Sequence, residues 1–182
     1  MSILAEWKMG RDRRRRAMVY LASITKDVAP SDVEWLRAMS HSITESLALR
    51  ELQFAKRALG LIVAERDALD DRTASDVAHQ LASVINLEAR RDTDAGRAWS
   101  ERWRSYTGAL AARGSSEAPA ARLARVMLAA TGTLAPDSPQ LVRATQYILS
   151  VRSSANEALR AAFGAASLPE DVRPSAVRPA MH

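Results

Sequence analysis

Apolar side chains recur at the spacing of an α-helix along most of this 182-residue chain. Residues separated by three, four or seven positions share one helix face, whereas strands alternate every second residue. One such stripe contains Trp35, Met39 and Ile43. Runs of Val, Ile, Thr and Tyr with strand-like alternation are scarce,. The pattern therefore predicts an all-α protein.

Local start and stop signals divide the chain into six predicted helices. Asp and Ser cap the free N–H groups at a helix start, and Gly favours a helix end. Asp92 and Ser138 are start signals, while Gly132 and Gly164 are end signals. The predicted helices span about residues 2–28, 31–69, 73–90, 92–113, 116–132 and 138–164,.

The second predicted helix is unusually long. Ser31, followed by Glu34 three residues later, matches a capping box and predicts the helix start,. The apolar stripe shifts near residues 47–50, which predicts a bend or a short break at that point,.

The composition favours one helical domain followed by a tail. With 47% hydrophobic residues the chain can bury a substantial core,. We predict a single helical domain over residues 1–164, in which residues 1–28 form a basic N-terminal helix. Residues 165–182 carry three prolines and are predicted to be extended,. The expected fold is a helical bundle of about six helices with an extended proline-containing C-terminal tail.

A run of arginines interrupts the apolar stripe of the first helix. Successive residues are rotated by about 100°, so these side chains surround the helix for about two turns. Residues 1–28 carry seven basic and three acidic side chains, and thus four of the five net positive charges. The run consists of Arg11, Arg13, Arg14, Arg15 and Arg16.

Phosphate is the natural counter-charge for such a run. Arginine forms bidentate hydrogen bonds with phosphate, and neighbouring positive charges repel one another unless they are neutralised. The run therefore predicts contact with a nucleic-acid backbone. Two alternatives are a solvated helix balanced by Glu6 and Asp12, and an anionic protein or membrane surface beside Trp7,. Because the charges encircle the helix, we expect no membrane partner.

Smaller basic groups lie farther along the chain. Arg97 and Arg104 are seven residues apart and share a helix face, which predicts a second phosphate contact,. The neighbouring Trp99 and Trp103 match a core stripe better than a base-stacking platform,. Further basic pairs have glutamates near them in the sequence and are also explained as surface charge. The alternative is that together they continue a positive path across the bundle. These groups are Arg50 and Arg57 with Lys56, Arg90 with Arg91, and Arg122 with Arg125.

No catalytic or metal-binding motif is evident. The chain has no cysteine and three scattered histidines, and it has neither a glycine-rich phosphate loop nor a nucleophile elbow,. His79 follows Asp76 by three residues, but a helix-cap Asp beside a surface His explains this pair,. We expect no enzyme, cofactor or metal. The lack of cysteine and of a signal-peptide pattern favours a cytoplasmic location.

Residues 122–128, RLARVML, precede a loop and a second arginine-bearing helical segment at 141–152. This arrangement resembles the paired helices in the small helical subunits of CRISPR effector ribonucleoproteins. Size, helix content and basic surface are similar as well. The resemblance implies a subunit that supports the guide, target or displaced strand within an antiviral defence complex. It covers architecture and has no diagnostic motif, so it assigns no functional residue.

The sequence thus predicts a non-catalytic basic subunit that contacts the phosphates of RNA or single-stranded DNA within a multi-subunit ribonucleoprotein. Its protein partners would be other subunits, including further copies of itself. The alternative is a structural or adaptor protein, such as a virion component or regulatory bundle, that docks through exposed apolar residues. The candidate nucleic-acid contacts are Arg11, Arg13, Arg14, Arg15, Arg16, Arg97, Arg104, Arg122 and Arg125.

Overall fold

The computed structural model describes residues 3–40, 43–67, 71–112 and 115–164, which form seven α-helices and no strand. The all-α class is confirmed, and the predicted tail lies outside the described residues. The helices are α1 (Ile3–Ile24), α2 (Pro30–Met39), α3 (Glu45–Asp67), α4 (Asp71–Arg91), α5 (Thr93–Ala111), α6 (Pro119–Ala130) and α7 (Ser138–Phe163).

Helix α3 is the central element and contacts each of the other six helices. Five of those helices also contact one another in a closed order, α1–α4–α5–α6–α7 and back to α1. The sequence of α3 fits this position, because apolar residues about 200° apart on the helix, such as Leu52 and Phe54, are both buried,. Its small residues, including Ala48, Ala55, Ala58 and Ala64, are buried and let the surrounding helices approach closely.

Two apolar clusters fill the interior, and both α3 and α7 run through both of them. The first cluster joins α2, α3, α5, α6 and α7 around Leu52, Leu59 and Met127. The second joins α1, α4 and the later parts of α3 and α7 around Tyr20 and Leu81. Helix α1 is therefore held by the second cluster, at one end of the central helix.

The contact between α1 and α3 depends on Gly60. The hydroxyl of Tyr20 donates a hydrogen bond of 2.7 Å to the carbonyl oxygen of Gly60. A Cβ atom at position 60 would overlap Cδ1 of Ile24 and lie 3.3 Å from its Cβ. Because Gly60 has no side chain, the backbones of α1 and α3 can approach each other closely at this position.

Substituting this glycine should separate the two helices. We expect Gly60→Leu to lower the free energy of unfolding by about 1–3 kcal/mol, because overpacking outweighs the better helix propensity of leucine. Gly108→Leu is the matched control, since an added Cβ at this exposed α5 position meets no atom within 4 Å. Urea denaturation compares the two variants, and an equally stable Gly60→Leu would show that α1 does not need this close approach.

The predicted second helix is wrong in one respect, because it is two helices. Helix α2 ends at Met39 and α3 begins at Glu45, ahead of the break predicted at 47–50. Ser40 is extended, with φ −111° and ψ 130°, and is buried. Its hydroxyl donates 2.9 Å to Oγ1 of Thr131, which itself donates to the carbonyl oxygen of Leu128. The hydroxyl of Thr44 then accepts from the N–H of Leu47 and caps α3,.

Several predicted helix starts are also displaced. Ser31 does not cap α2; Ala29 is the N-cap and no side chain bonds there. The fifth predicted helix begins at Pro119 instead of residue 116. The last helix is capped by Asp137, not Ser138, through a reciprocal capping box with Gln140. The Asp92 cap is confirmed, since its carboxylate accepts from the N–H groups of residues 94 and 95.

The predicted helix ends at glycine are confirmed at two positions. Gly132 and Gly164 have φ angles of 86° and 94°, a backbone region that residues other than glycine rarely adopt,. The first predicted helix ends four residues early, at Ile24 instead of 28.

Candidate nucleic-acid interface

The outer face of α1 carries the arginine run. Ala17, Tyr20, Leu21 and Ile24 form the buried face of the helix. We use "outer face" for the described exposed residues of α1 that point away from the second cluster. The charged residues of the outer face are Lys8, Arg11, Asp12, Arg14, Arg15 and Arg16. Five positive charges and one negative charge thus lie within about two and a half turns.

One of the five predicted arginines does not belong to this face. Arg13 lies one turn before Ala17 and therefore points toward α4. Its Nε donates 2.8 Å to Oδ2 of Asp76, and only 31% of its side chain is exposed. Arg13 thus joins α1 to α4. Asp76, which the sequence pairs with His79, bonds to this arginine.

The remaining arginines of the run differ in their partners. Arg16 forms an ion pair of 2.8 Å with Asp12 one turn earlier. The guanidinium of Arg11 lies over the indole of Trp7, 5.6 Å from the ring centroid. Within the described ranges, Arg14 and Arg15 have neither an ion-pair partner nor a hydrogen-bond acceptor. These two guanidinium groups are consequently available to an external anion.

The α5 candidates lie apart from α1, because α4 separates the two helices. Arg97 is 81% exposed and pairs with Asp94 at 2.6 Å. The Nε of Arg104 donates 3.3 Å to the carbonyl oxygen of Ser100. Trp99 is buried and stacks at 6.0 Å on the half-buried Trp103, so the core interpretation of this stripe is confirmed.

The α6 candidates are committed to contacts within the protein. Nε of Arg122 donates 2.7 Å to the carbonyl oxygen of Ala109, and Nη1 donates 2.8 Å to that of Glu117. Arg125 pairs with the Glu117 carboxylate at 2.7 Å. Arg122 therefore ties α6 to α5. The nine predicted contacts thus divide among three places, and the largest unneutralised group is on α1.

Two exposed cations were not among the predicted contacts. Lys8 is exposed on the outer face, one turn before Arg11 and Asp12. Arg72 is exposed on α4 one turn before Asp76, on the side that faces α1,. The position of Arg13 was readable, because it shares the helical stripe of the buried Tyr20. The position of Arg72 was not, since it depends on the packing of α4 against α1.

A buried ion pair joins α3 to α5. Glu51 is 1% exposed and Arg102 is 17% exposed; Nε of Arg102 lies 2.8 Å from Oε2, and Nη2 donates 3.0 Å to Oε1. Burial raises the pKa of Glu51, and Arg102 opposes that shift. The adjacent Tyr106 is fully buried, so burial raises its pKa above the usual range as well.

This ion pair lies inside the packed core and joins α3 to α5. A second ion pair joins α3 to α4, where Arg57 is 12% exposed and lies 2.6 Å from Glu88. Arg125 pairs with Glu117, a glutamate near it in the sequence, whereas the partner of Arg57 lies 31 residues away.

A cleft of 250 Å³ lies between the α1–α2 connection, α3 and α7. Nζ of Lys56 donates there to the carbonyl oxygens of Lys26 and Asp27, and burial lowers the pKa of this ammonium. Asp32 and three serines also line the cleft. Lys56 closes a loop by these bonds, and the lining has no histidine that would activate a serine,.

The described residues contain no group of three or more His, Cys, Asp or Glu side chains placed to hold a metal ion. Across the same ranges, no helix has both the length and the apolar character needed to cross a bilayer. Comparison with protein-family models, with curated proteins and with solved structures finds no match.

Proposed function

We propose that this chain is a non-catalytic helical subunit that binds the phosphate backbone of a nucleic acid through the outer face of α1. The observation that carries the proposal is the pair of exposed guanidinium groups of Arg14 and Arg15, which have no partner in the described part of the chain. Lys8, Arg11 and Arg16 extend this charge along the same surface.

The construction of the bundle supports this role. The end of α1 from Ala17 to Ile24 is fixed by Tyr20 and by the second cluster, and the arginine run lies directly before it. Arg13, bonded to Asp76, holds this arginine-bearing part of the helix against α4. A surface held on a rigid element keeps its charges in place, which reduces the entropy lost on binding.

The assembly in which this subunit acts is also a proposal. A few phosphate contacts per chain give modest affinity, which suits a protein present in several copies along one strand. Together with the resemblance of residues 122–128 and 141–152, this favours a small-subunit role in a CRISPR effector ribonucleoprotein. Arg97 and Arg104 stay predicted contacts of that assembled state, whereas Arg122 and Arg125 bond within the protein.

The salt dependence of binding tests the proposal. If the five outer-face cations each contact one phosphate of a single strand, the affinity should fall about 100-fold between about 50 and 200 mM salt. Fluorescence anisotropy of a labelled single-stranded RNA measures this fall. Binding that is unchanged over that range would contradict a phosphate contact.

An adaptor role is the second candidate, since the outer face also exposes apolar residues. Trp7, Met18 and Val19 are all more than half exposed. An apolar protein interface depends much less on salt than a phosphate contact does. The same titration, repeated with a candidate protein partner, therefore distinguishes the two functions.

A further inference from the structure

Trp7 stands out among the tryptophans because it is 62% exposed. Trp99 is buried, and Trp35 and Trp103 pack against the first cluster. An indole ring is normally largely buried, since it carries one of the greatest apolar areas of any side chain. The exposed ring of Trp7 is part of neither apolar cluster, so packing in the core does not explain a tryptophan at this position.

The position of Trp7 connects it with the arginine run. Trp7, Arg11, Arg14 and Met18 follow the spacing i, i+4, i+7 and i+11, so they form one stripe on the outer face,. The Arg11 guanidinium lies over the Trp7 ring and orients it by a cation–π contact,. The flat apolar ring thus lies about 10 Å along the helix from the unpartnered Arg14.

A ligand that fits this stripe carries phosphates and flat apolar faces close together. In a duplex the bases cover one another, and only phosphates and groove edges are accessible. In a single strand the base faces are free, and they stack on aromatic side chains whatever the sequence. Building on the proposed phosphate contact, we infer that the outer face of α1 binds single-stranded nucleic acid, with an unpaired base stacked on Trp7 and the neighbouring phosphates bound by Arg11, Arg14 and Arg15.

The distribution of charge favours this ligand over an anionic membrane. A helix that lies in a membrane interface collects its apolar residues on one side and its charges on the other. Here Trp7 and Met18 are separated along one stripe by Arg11 and Arg14. Two cations therefore lie between the apolar groups of this stripe, so it offers no continuous apolar side to a membrane.

The test compares one RNA sequence of about 12 nucleotides as a single strand and as a duplex, by anisotropy at about 0.1 M salt with the full chain. We expect Trp7→Ala to weaken single-strand binding about tenfold and to change duplex binding less than about twofold. Trp7→Phe should restore most of the loss, because phenylalanine retains a flat ring. Trp7→Ala should leave the salt slope unchanged, since it removes no charge.

Met18→Ala is the matched control, because it removes an exposed apolar side chain from the same stripe without removing a ring. It should change binding to either form less than about twofold. A Trp7→Ala variant that binds the single strand normally, or loses both forms equally, would overturn the stacking inference and leave the phosphate contact standing.

A wild-type chain that does not bind RNA would lead to a different conclusion. If it binds neither RNA form with the expected salt dependence, the proposed function fails and the stacking site fails with it. Binding to vesicles of phosphatidylserine and phosphatidylcholine, weakened by Trp7→Ala and without RNA binding, would assign the stripe to a membrane and overturn both.

Discussion

Arg102→Met should lower the free energy of unfolding by about 3–5 kcal/mol, measured by urea denaturation near neutral pH. The substitution keeps an apolar side chain of similar length but removes the only cation bonded to Glu51 in the described core. The carboxylate would remain buried between α3 and α5 without its counter-charge. Tyr106 cannot replace it, since its hydroxyl would offer a single neutral hydrogen bond.

The double variant Glu51→Met/Arg102→Met is the control for this experiment. It removes both charges and fills the space with apolar atoms, which in a core is often neutral or stabilising. We therefore expect it to be more stable than Arg102→Met alone. If the single variant lost less than about 1 kcal/mol, the carboxyl would have to be neutral in the folded protein.

The stability of Arg102→Met should depend on pH in a defined direction. Burial raises the pKa of Glu51, and removing Arg102 removes the main opposing influence. Between the pKa of Glu51 in the unfolded state and its higher pKa in the folded state, the folded protein holds a proton that the unfolded chain has released. The free energy of unfolding of the variant therefore falls as the pH rises from the lower to the higher of these two values. The deficit relative to the wild type should therefore shrink as the pH falls from neutral toward the ordinary pKa of glutamate, about 4.3. A deficit independent of pH would mean that packing, not charge, causes the loss.

Replacing Arg14 and Arg15 by glutamine should weaken binding to single-stranded RNA about 20-fold at about 0.1 M salt. Each lost phosphate contact removes about 0.7 from the slope of log K against log salt, so the slope should fall by about 1.4. Folding should be unaffected, because both side chains are exposed and glutamine is a good helix former,.

The matched control removes two charges elsewhere. Arg90→Gln/Arg91→Gln changes net charge equally, but Arg90 lies fourteen residues after Asp76, about 21 Å along α4 from the contact with Arg13,. We expect this variant to keep most of its affinity and its salt slope. Equal losses in the two double variants would indicate a general charge effect and argue against an interface on α1.

Local chemistry made part of this fold readable from the sequence. Asp92 caps the helix that begins at the next residue, and the glycines at 132 and 164 end the helices that directly precede them. These predicted roles are confirmed. The stripe through Trp99 and Tyr106 follows from helix geometry, and both residues are buried. Such features need no knowledge of the rest of the chain.

The missed features depend on residues that are distant in sequence. The break after α2 occurs at Ser40 because its hydroxyl meets Thr131, which lies 91 positions later. Glu51 resembles a surface charge in a helical stripe until α5 brings Arg102 against it. A sequence pattern gives the face of a helix, but not the partner that covers it.

The candidate site was partly predictable from the sequence, because some of its features are local and others depend on distant contacts. The arginine run is a local feature, and its outer members are exposed as a surface helix requires. Arg13 and Arg122 were predicted as phosphate contacts, but both bond to groups on neighbouring elements of the bundle. These bonds arise only after α4 and α5 have packed, so charge clustering alone overestimates the number of cations free to bind.

The central position of α3 has a consequence for the synthesis of the protein on the ribosome. Helix α3 is complete at Asp67, but α7, which covers a large part of it, ends only at Phe163. At typical elongation rates of about 5–20 residues per second, the part of α3 that α7 covers stays open for about 5–20 seconds. During that time this apolar surface can aggregate, and we expect the yield of folded protein to depend on chaperones that bind emerging apolar segments.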